Sequence, residues 1–293
     1  MAEQDPWARW VIETRFGGDE TYAAEALRLL YAIRDKVLDH AQVREGETLL
    51  DVGAGDGLIA FGALERVGPT GRVILSDISQ PLLDHARALA EQMGVADRCS
   101  FVRAAAEDLR SIADGSVDVV TTRSVLIYVA DKAAAFRAFH RVLRPGGRIS
   151  LFEPINRYGL SDRSDTRLWG YDLTPVADLV RRIRAFYRQH QPDETDPMLN
   201  FDERDLLRYS EAAGFAEIHL ELRVDLQPPT WPPSWEVAMR APPNPRVPAL
   251  GEVIAQVLTP EEAARFEAHL RPLIEARQGR QCQAVAYLWA VKG

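Results

Sequence analysis

Residues Leu49 to Leu58, LLDVGAGDGL, place three glycines, Gly53, Gly55 and Gly57, between a short apolar run and a helix-like stretch. Glycine tolerates the positive φ of a tight turn and leaves space where a Cβ would clash, so the loop reads as a strand-to-helix turn that a ligand approaches closely. The flanking pattern constrains the rest. TLLDV (Thr48–Val52), RVILSD (Arg72–Asp77), CSFVRA (Cys99–Ala104), SVDVVTT (Ser116–Thr122) and GRISLFEP (Gly147–Pro154) read as strands. Between them QPLLDHARALAEQMG and DKAAAFRAFHRVL read as helices. Strands apolar on both faces that alternate with amphipathic helices predict a parallel α/β sheet covered on both sides.

Ahead of this region, a helix is expected from Glu20 to Ala41, with Ala26, Leu30, Ile33 and Val37 in one stripe. After Pro154 the alternation breaks. It resumes with a helix over DERDLLRYSEAAGF and runs through AEIHLELRV (Ala216–Val224) to a closing strand, QAVAYLWAV (Gln283–Val291). The organisation read from this is an N-terminal helical cap over 1–44 and one ligand-binding domain over 45–293, carrying insertions at about 155–200 and 226–280. Long ordered connections of this kind are usually functional. RPGG (Arg144–Gly147) reads as a helix stop and turn leading into the fifth strand.

Composition narrows the partners. The formal charge of −8 argues against a general nucleic-acid binder, and no apolar run approaches a membrane span. The start, MAEQDPWARW, is acidic where a secretory signal is basic, and two distant cysteines make neither a disulfide framework nor a thiolate metal site. The expectation is a cytoplasmic protein with a small-molecule partner, no nucleic acid, no membrane and no metal; a homo-oligomer is compatible with the sequence but not legible in it. Lys36, Lys132 and Lys292 are the only lysines among 35 basic residues, an arginine bias that suits a GC-rich bacterial genome.

Asp77 closes the second strand, where a carboxylate can accept both hydroxyls of a ribose, so an adenosine-like ligand is expected across the carboxyl ends of the strands. The glycine spacing is GxGxG, not the GxGxxG of dinucleotide sites, and Asp51 stands two residues before the first glycine. That carboxylate would repel a pyrophosphate and attract a ligand with an ammonium and a sulfonium. S-adenosylmethionine carries both. With AAAEDL (Ala104–Leu109), VDVVTTRSVLIYV (Val117–Val129), HRVLRPGGRI (His140–Ile149) and EAAGF (Glu211–Phe215), the chain resembles the class I S-adenosylmethionine-dependent methyltransferases, in the broad group of the ubiquinone-biosynthesis enzymes. The resemblance covers 45–153 closely and 201–224 and 283–291 more loosely.

The resemblance implies a Rossmann-like doubly wound, mainly parallel seven-stranded sheet with an antiparallel last strand. It puts the methionine part of the cofactor at Gly53, Ala54 and Gly55, with Asp51 near its amino group. Asp77 would bind the ribose, Ile78 would pack on the adenine, and Ala105, Ala106 and Glu107 would border the adenine edge. Where many relatives have Asp or Asn, this chain has Ala105, which leaves the adenine amino group to Glu107, Asp108 or backbone. Arg123 would face the methionine end, either pairing with its carboxylate or supporting the loop.

For the chemistry, Glu153 after the fifth strand is the first catalytic candidate, its alternative being a loop cap, and Tyr128 is the second. Asn156, Tyr158 and Trp169 are candidates for acceptor binding. Tyr22 joins them through RFGGDETY (Arg15–Tyr22), a lid or a helical cap. Trp231 and Trp235 either close over a pocket or pack the insertion. Arg181–Arg188 reads as a solvated helix face more readily than an anion site, and His190, in an irregular region, as the one histidine with a chance of lining a site. Two cysteines do not suit a metalloid acceptor, TTRSVL lacks the prolines of amino-methylating nucleic-acid enzymes, and clustered acidic ligands for a metal-dependent catechol reaction are missing. A small organic acceptor, aromatic or lipid-like, is what this leaves. The competing readings are a nicotinamide-dependent oxidoreductase and a catalytically silent binder of the same cofactor.

Overall fold

The computed structural model describes residues 5–193 and 195–293, with the side chains of 160–163 left aside; the first four residues of the acidic start lie outside it. The chain forms two compact units, each described by itself. One comprises Leu27–Ile155, Phe201–Arg223 and Val285–Gly293; the other comprises residues up to Ala26, Asn156–Asn200 and Val224–Ala284.

The first unit is built on a seven-stranded sheet. Its strands are β1 (Thr48–Val52), β2 (Arg72–Asp77), β3 (Cys99–Arg103), β4 (Val117–Arg123), β5 (Leu143–Pro154), β8 (Phe215–Gln227) and β9 (Gln281–Lys292), with β6 and β7 in the other unit. The order is β3-β2-β1-β4-β5-β9-β8. Strands β1 to β5 run parallel and β9 is antiparallel to β5, pairing Phe152 with Tyr287. This is the doubly wound, mainly parallel α/β fold expected from the alternation. β1 and β4 are the most apolar runs and lie at the centre, buried along almost their whole length.

Helices α2 (Glu20–His40), α3 (Leu58–Val67), α4 (Gln80–Gln92), α5 (Lys132–Val142) and α7 (Glu203–Ala213) flank the strands in sequence. Local chemistry sets their starts: Ser79 Oγ accepts from Leu82 N, Asp131 accepts from Ala134 N, and Asp202 and Asp205 form a reciprocal capping box. One core cluster joins Val37 and Leu38 of α2, Leu49 of β1, Ile59 and Ala63 of α3, and Val73 and Leu75 of β2. Arg148 on β5 makes a two-pronged pair with Glu47 (2.8 and 2.6 Å) and reaches the Gln42 carbonyl, tying the entry into β1 to the sheet. Burial alone would raise the Glu47 carboxyl, but Arg148 and the Arg44 amide hold it below the usual carboxylate range.

RPGG is not the lead-in to β5. Leu143 already pairs with Val117, and the next pair is Arg148 with Val119, so Arg144 to Gly147 bulge out of a strand that has begun. Close packing explains the glycine, since a Cβ on Gly147 would sit 2.8 Å from the Arg144 carbonyl.

The second unit has its own core, and it is more regular than the sequence suggests. α1 (Pro6–Ala8) runs into a π-helical turn at Arg9–Thr14. A hairpin of β6 (Arg167–Leu168) and β7 (Tyr171–Asp172) turns at Trp169 and Gly170, both at positive φ. α6 (Ala177–His190), α8 (Trp235–Arg240), α9 (Leu250–Val257) and α10 (Pro260–Glu275) bury Leu179, Ile183, Trp235, Leu250, Val253, Phe266 and Leu270 together. The helix face read at Arg181–Arg188 is part of α6, and His190, placed in an irregular region by the sequence, ends that helix with its ring stacked on Phe186 at 4.6 Å. On the same helix Arg182 pairs with Glu262 (2.6 Å) and Arg188 with Asp193 (3.4 Å), as a solvated face should. Trp235 is 6% exposed within this core, and Trp169 meets Trp231 edge-to-face at 4.6 Å, so these rings pack the insertions.

A candidate cofactor site at the strand ends

At the end of β1 the chain passes through Gly53, Gly55 and Gly57 at φ of 66°, 56° and 86°, a left-handed path that other residues adopt only at a cost. Space differs at each. A Cβ on Gly53 would lie 2.3 Å from Val125 Cγ2, one on Gly57 2.4 Å from the Phe61 ring, and one on Gly55 would meet nothing within 4 Å. The turn is sealed at both ends and open in the middle, where a ligand can lie on bare backbone. Gly53→Ala is expected to lower stability by about 2 kcal/mol, from the positive φ plus the Val125 clash. Chemical denaturation checks this, and adding Val125→Ala should recover part of the loss.

Asp77, at the tip of β2, reaches across to this turn. Its Oδ2 accepts from Gly55 N (3.0 Å) and its Oδ1 from Ser79 N (2.9 Å). The Ala54 amide is engaged inward on the Ser76 carbonyl at 3.0 Å. Beside Asp77 a recess is lined by Ile78, Arg103, Ala104, Ala105, Asp108, Arg110 and Ser111. Ile78 is 45% exposed there, an apolar side chain open to a planar partner. Ala105 and Asp108 close a tight turn, with Asp108 N donating to the Ala105 carbonyl (3.0 Å). Ala106 is buried and neither it nor Glu107 lines the recess; Asp108 does, held by two bonds from Arg110 (2.7 and 2.6 Å).

Asp51 is almost fully buried, its oxygens accepting from Thr121 Oγ1 (2.9 Å) and Ala60 N (3.2 Å). Burial pushes its carboxyl up to about 7; the Thr121 and Ala60 bonds and the nearby Arg123 oppose that rise, and Asp77 adds to it. Thr121 was not singled out in the sequence, because it faces Asp51 only through the β1–β4 register. Arg123 ends β4, and burial lowers its guanidinium while Asp56, Asp51 and Glu153 pull it back.

Glu153 is wholly buried. Its Oε1 accepts from Val125 N and Leu126 N, both at 2.9 Å, and its Oε2 from Ile127 N at 3.2 Å. Both oxygens of the expected catalytic carboxylate are thus taken by the turn after β4, which is the geometry of the loop-cap alternative. Burial raises its carboxyl to about 7 against the pull of those amides and of Lys132. The turn it holds contains Ser124 at φ of 55° and Val125, the side chain that seals Gly53. Tyr128 ends the same turn, its amide on the Val125 carbonyl (2.9 Å), and its hydroxyl lies in the field of Arg123. Val125 carries no signal in the sequence, since its role exists only through this contact.

The four acceptor candidates belong to the other unit. Tyr22 lies in the first turn of α2, its amide capped by Asp19 (2.8 Å) and its ring against Phe16, with burial raising its hydroxyl. RFGGDETY therefore shapes a helix start. Asn156 and Tyr158 lie in a 3₁₀ stretch, Tyr158 being 37% exposed, and Trp169 sits at the hairpin turn.

The model of the ubiE/COQ5 methyltransferase family matches residues 26–189. A "Ubiquinone/menaquinone biosynthesis C-methyltransferase UbiE" from Klebsiella pneumoniae is 38% identical over 155 residues, 52% of this chain and 60% of that protein. One from Pseudomonas putida is 36% identical over 161 residues, 52% of this chain and 62% of the relative. The match thus spans about three-fifths of the relatives' length. Among solved structures, a geranyl diphosphate methyltransferase in complex with S-adenosylmethionine aligns with a TM-score of 0.55 at 22% identity, covering 94% of this chain and 92% of that one.

Proposed function

Because the chain belongs to the ubiE/COQ5 methyltransferase family, we propose that it transfers a methyl group from S-adenosylmethionine to a small organic acceptor by in-line displacement. The observation that carries this is the open backbone at Gly55 beside the Asp77 carboxylate, flanked by the Ile78 recess. These residues fit the cofactor: Asp77 the ribose hydroxyls, Ile78, Ala104 and Ala105 the adenine face and edge, Asp108 its amino group. Gly53, Ala54 and Gly55 would hold the methionine part, with Asp51 and Arg123 drawing its ammonium and carboxylate. Ala106 and Glu107, between Ala105 and Asp108, would border the adenine edge. When bound, the cofactor supplies a methyl group on an already activated sulfonium leaving group.

The chain's own task is then to hold the acceptor in line and exclude water. We assign Glu153 to positioning: it fixes the turn after β4 and, through Val125, the glycine turn. Tyr128 is the remaining catalytic candidate. Tyr22, Asn156, Tyr158 and Trp169 are the first candidates for contact with the acceptor. The relatives named above are C-methyltransferases of ubiquinone and menaquinone biosynthesis, so a carbon acceptor on an aromatic or lipid-like molecule is the first to try. Among the described residues no helix is long and apolar enough to cross a membrane, and an acidic chain with two unpaired cysteines suits the cytoplasm.

Titration calorimetry tests the proposal. S-adenosylmethionine should give binding heat and nicotinamide dinucleotides none; heat only with the dinucleotides would replace this reading with an oxidoreductase. The affinity should depend on pH with a definite sign. Asp51, with its carboxyl near 7, is mostly neutral in mild acid and ionises as pH rises, so attraction for the cationic ligand grows. Binding is expected to tighten about tenfold from about pH 5.5 to about pH 6.8, roughly one unit below the ordinary titration of an α-amino group. Asp51→Asn should flatten that slope.

A further inference from the structure

β8 ends the sheet, and its outer edge has no strand beside it among the described residues. Thirteen residues of open edge without an internal proline offer a template that chains usually blunt. Its side chains alternate cleanly. Leu220, Leu222, Val224 and Leu226 fall on one face, the last three being 37%, 44% and 56% exposed. His219, Glu221, Arg223 and Asp225 fall on the other. On that polar face His219 stacks on Trp289 at 5.0 Å, Glu221 pairs with Lys36 and approaches His40 (3.5 Å), and Glu221 and Arg223 both act on the Tyr287 hydroxyl.

We propose that β8 pairs antiparallel with β8 of a second copy of this chain about a two-fold axis at Leu222, joining the two sheets edge to edge. The order of charges selects this register. With the axis at Leu222, Glu221 faces the partner's Arg223 and His219 faces the partner's Asp225, and the same two pairs recur on the other side of the axis. On the apolar face Leu222 meets its own copy, Leu220 meets the partner's Val224, and Ile218 meets the partner's Leu226. Shifting the axis to Glu221 sets Glu221 against itself and Glu217 against Asp225. Shifting it to Arg223 sets Arg223 against itself and Glu221 against Asp225. Like charges directly opposite are destabilising and opposite charges favourable, so both shifts are selected against. An axis at Leu220 keeps the charge match but leaves Leu226, the most exposed of the row, beyond the paired stretch. An axis at Val224 brings Pro228, which has no N–H to donate, opposite Leu220. The isologous contact closes on itself and so gives a dimer, not a fibre. This inference is independent of the methyl-transfer reading.

Sedimentation velocity on the full chain tests it, from about 1 to about 100 μM because association follows mass action. The wild type is expected to dimerise across that range. Arg223→Glu, which puts acid against acid twice, and Leu222→Lys, which puts two ammonium groups on the axis, should each give a monomer whose melting temperature no longer rises with concentration and matches that of the wild type at its most dilute. Glu221→Arg should also be monomeric, should dimerise when mixed with the Arg223→Glu chain, and should regain self-association when combined with that substitution. A wild type that stays monomeric at the highest concentration overturns the proposal. So does a dimer that both Arg223→Glu and Leu222→Lys leave intact, and these two variants decide the matter should Glu221→Arg fail to fold.

Discussion

Asp77→Ala is expected to weaken S-adenosylmethionine binding by about 100-fold or more. A hydrogen bond to a charged acceptor contributes about 1.5–3 kcal/mol, and two ribose hydroxyls would lose theirs together. The substitution also frees Gly55 N and Ser79 N, so the open turn loses its anchor along with its ligand contact. Asp77→Asn separates the two effects. It keeps one acceptor oxygen near the turn but turns an amide donor toward groups that donate, so the loss should fall to about tenfold. Calorimetry reads both, and an unchanged affinity in the alanine variant would remove the cofactor site from this rim.

Glu153→Ala is expected to be the most destabilising single substitution in the unit that carries the glycine turn, by about 3–5 kcal/mol. It leaves the amides of Val125, Leu126 and Ile127 without their acceptor in a region that excludes water, each costing about 1–3 kcal/mol before relaxation. Urea unfolding checks the size. Glu153→Gln retains an acceptor and should lose less, with a pH signature. The native carboxyl titrates near 7, above the ordinary value of 4.5, so its favourable contribution is complete below about pH 4.5 and declines as pH rises through 7. The gap between wild type and Glu153→Gln should therefore narrow from pH 5 to pH 8. A group that took a proton from the acceptor would show a different pattern: both variants stable, with turnover alone abolished.

The parts of the fold that were legible share a cause. β1 and β4 are apolar on both faces because they are central, and Gly53 and Gly55 are glycine because the turn after β1 takes positive φ there; both facts are local and leave a mark in the sequence. What escaped depends on register or on distant packing. Thr121 meets Asp51 by strand alignment, and Val125 meets Gly53 because a residue some thirty positions later, Glu153, holds its amide. The Trp169–Gly170 hairpin lacks the Asn-Gly signature that announces such turns. RPGG was legible as a chain reversal but not as a bulge, since only the pairing of Leu143 with Val117 reveals that the strand has already started.

The division into two units is interleaved along the chain, with changes of unit after Ala26, Ile155, Asn200, Arg223 and Ala284. Neither body is a continuous stretch of polypeptide, so neither can be obtained by cutting the gene once, and a ribosome completes neither until it reaches the last strand. Recombination can exchange either body only by replacing several separate segments in concert. Variation in each is thereby pushed toward point substitution and away from the swapping of modules.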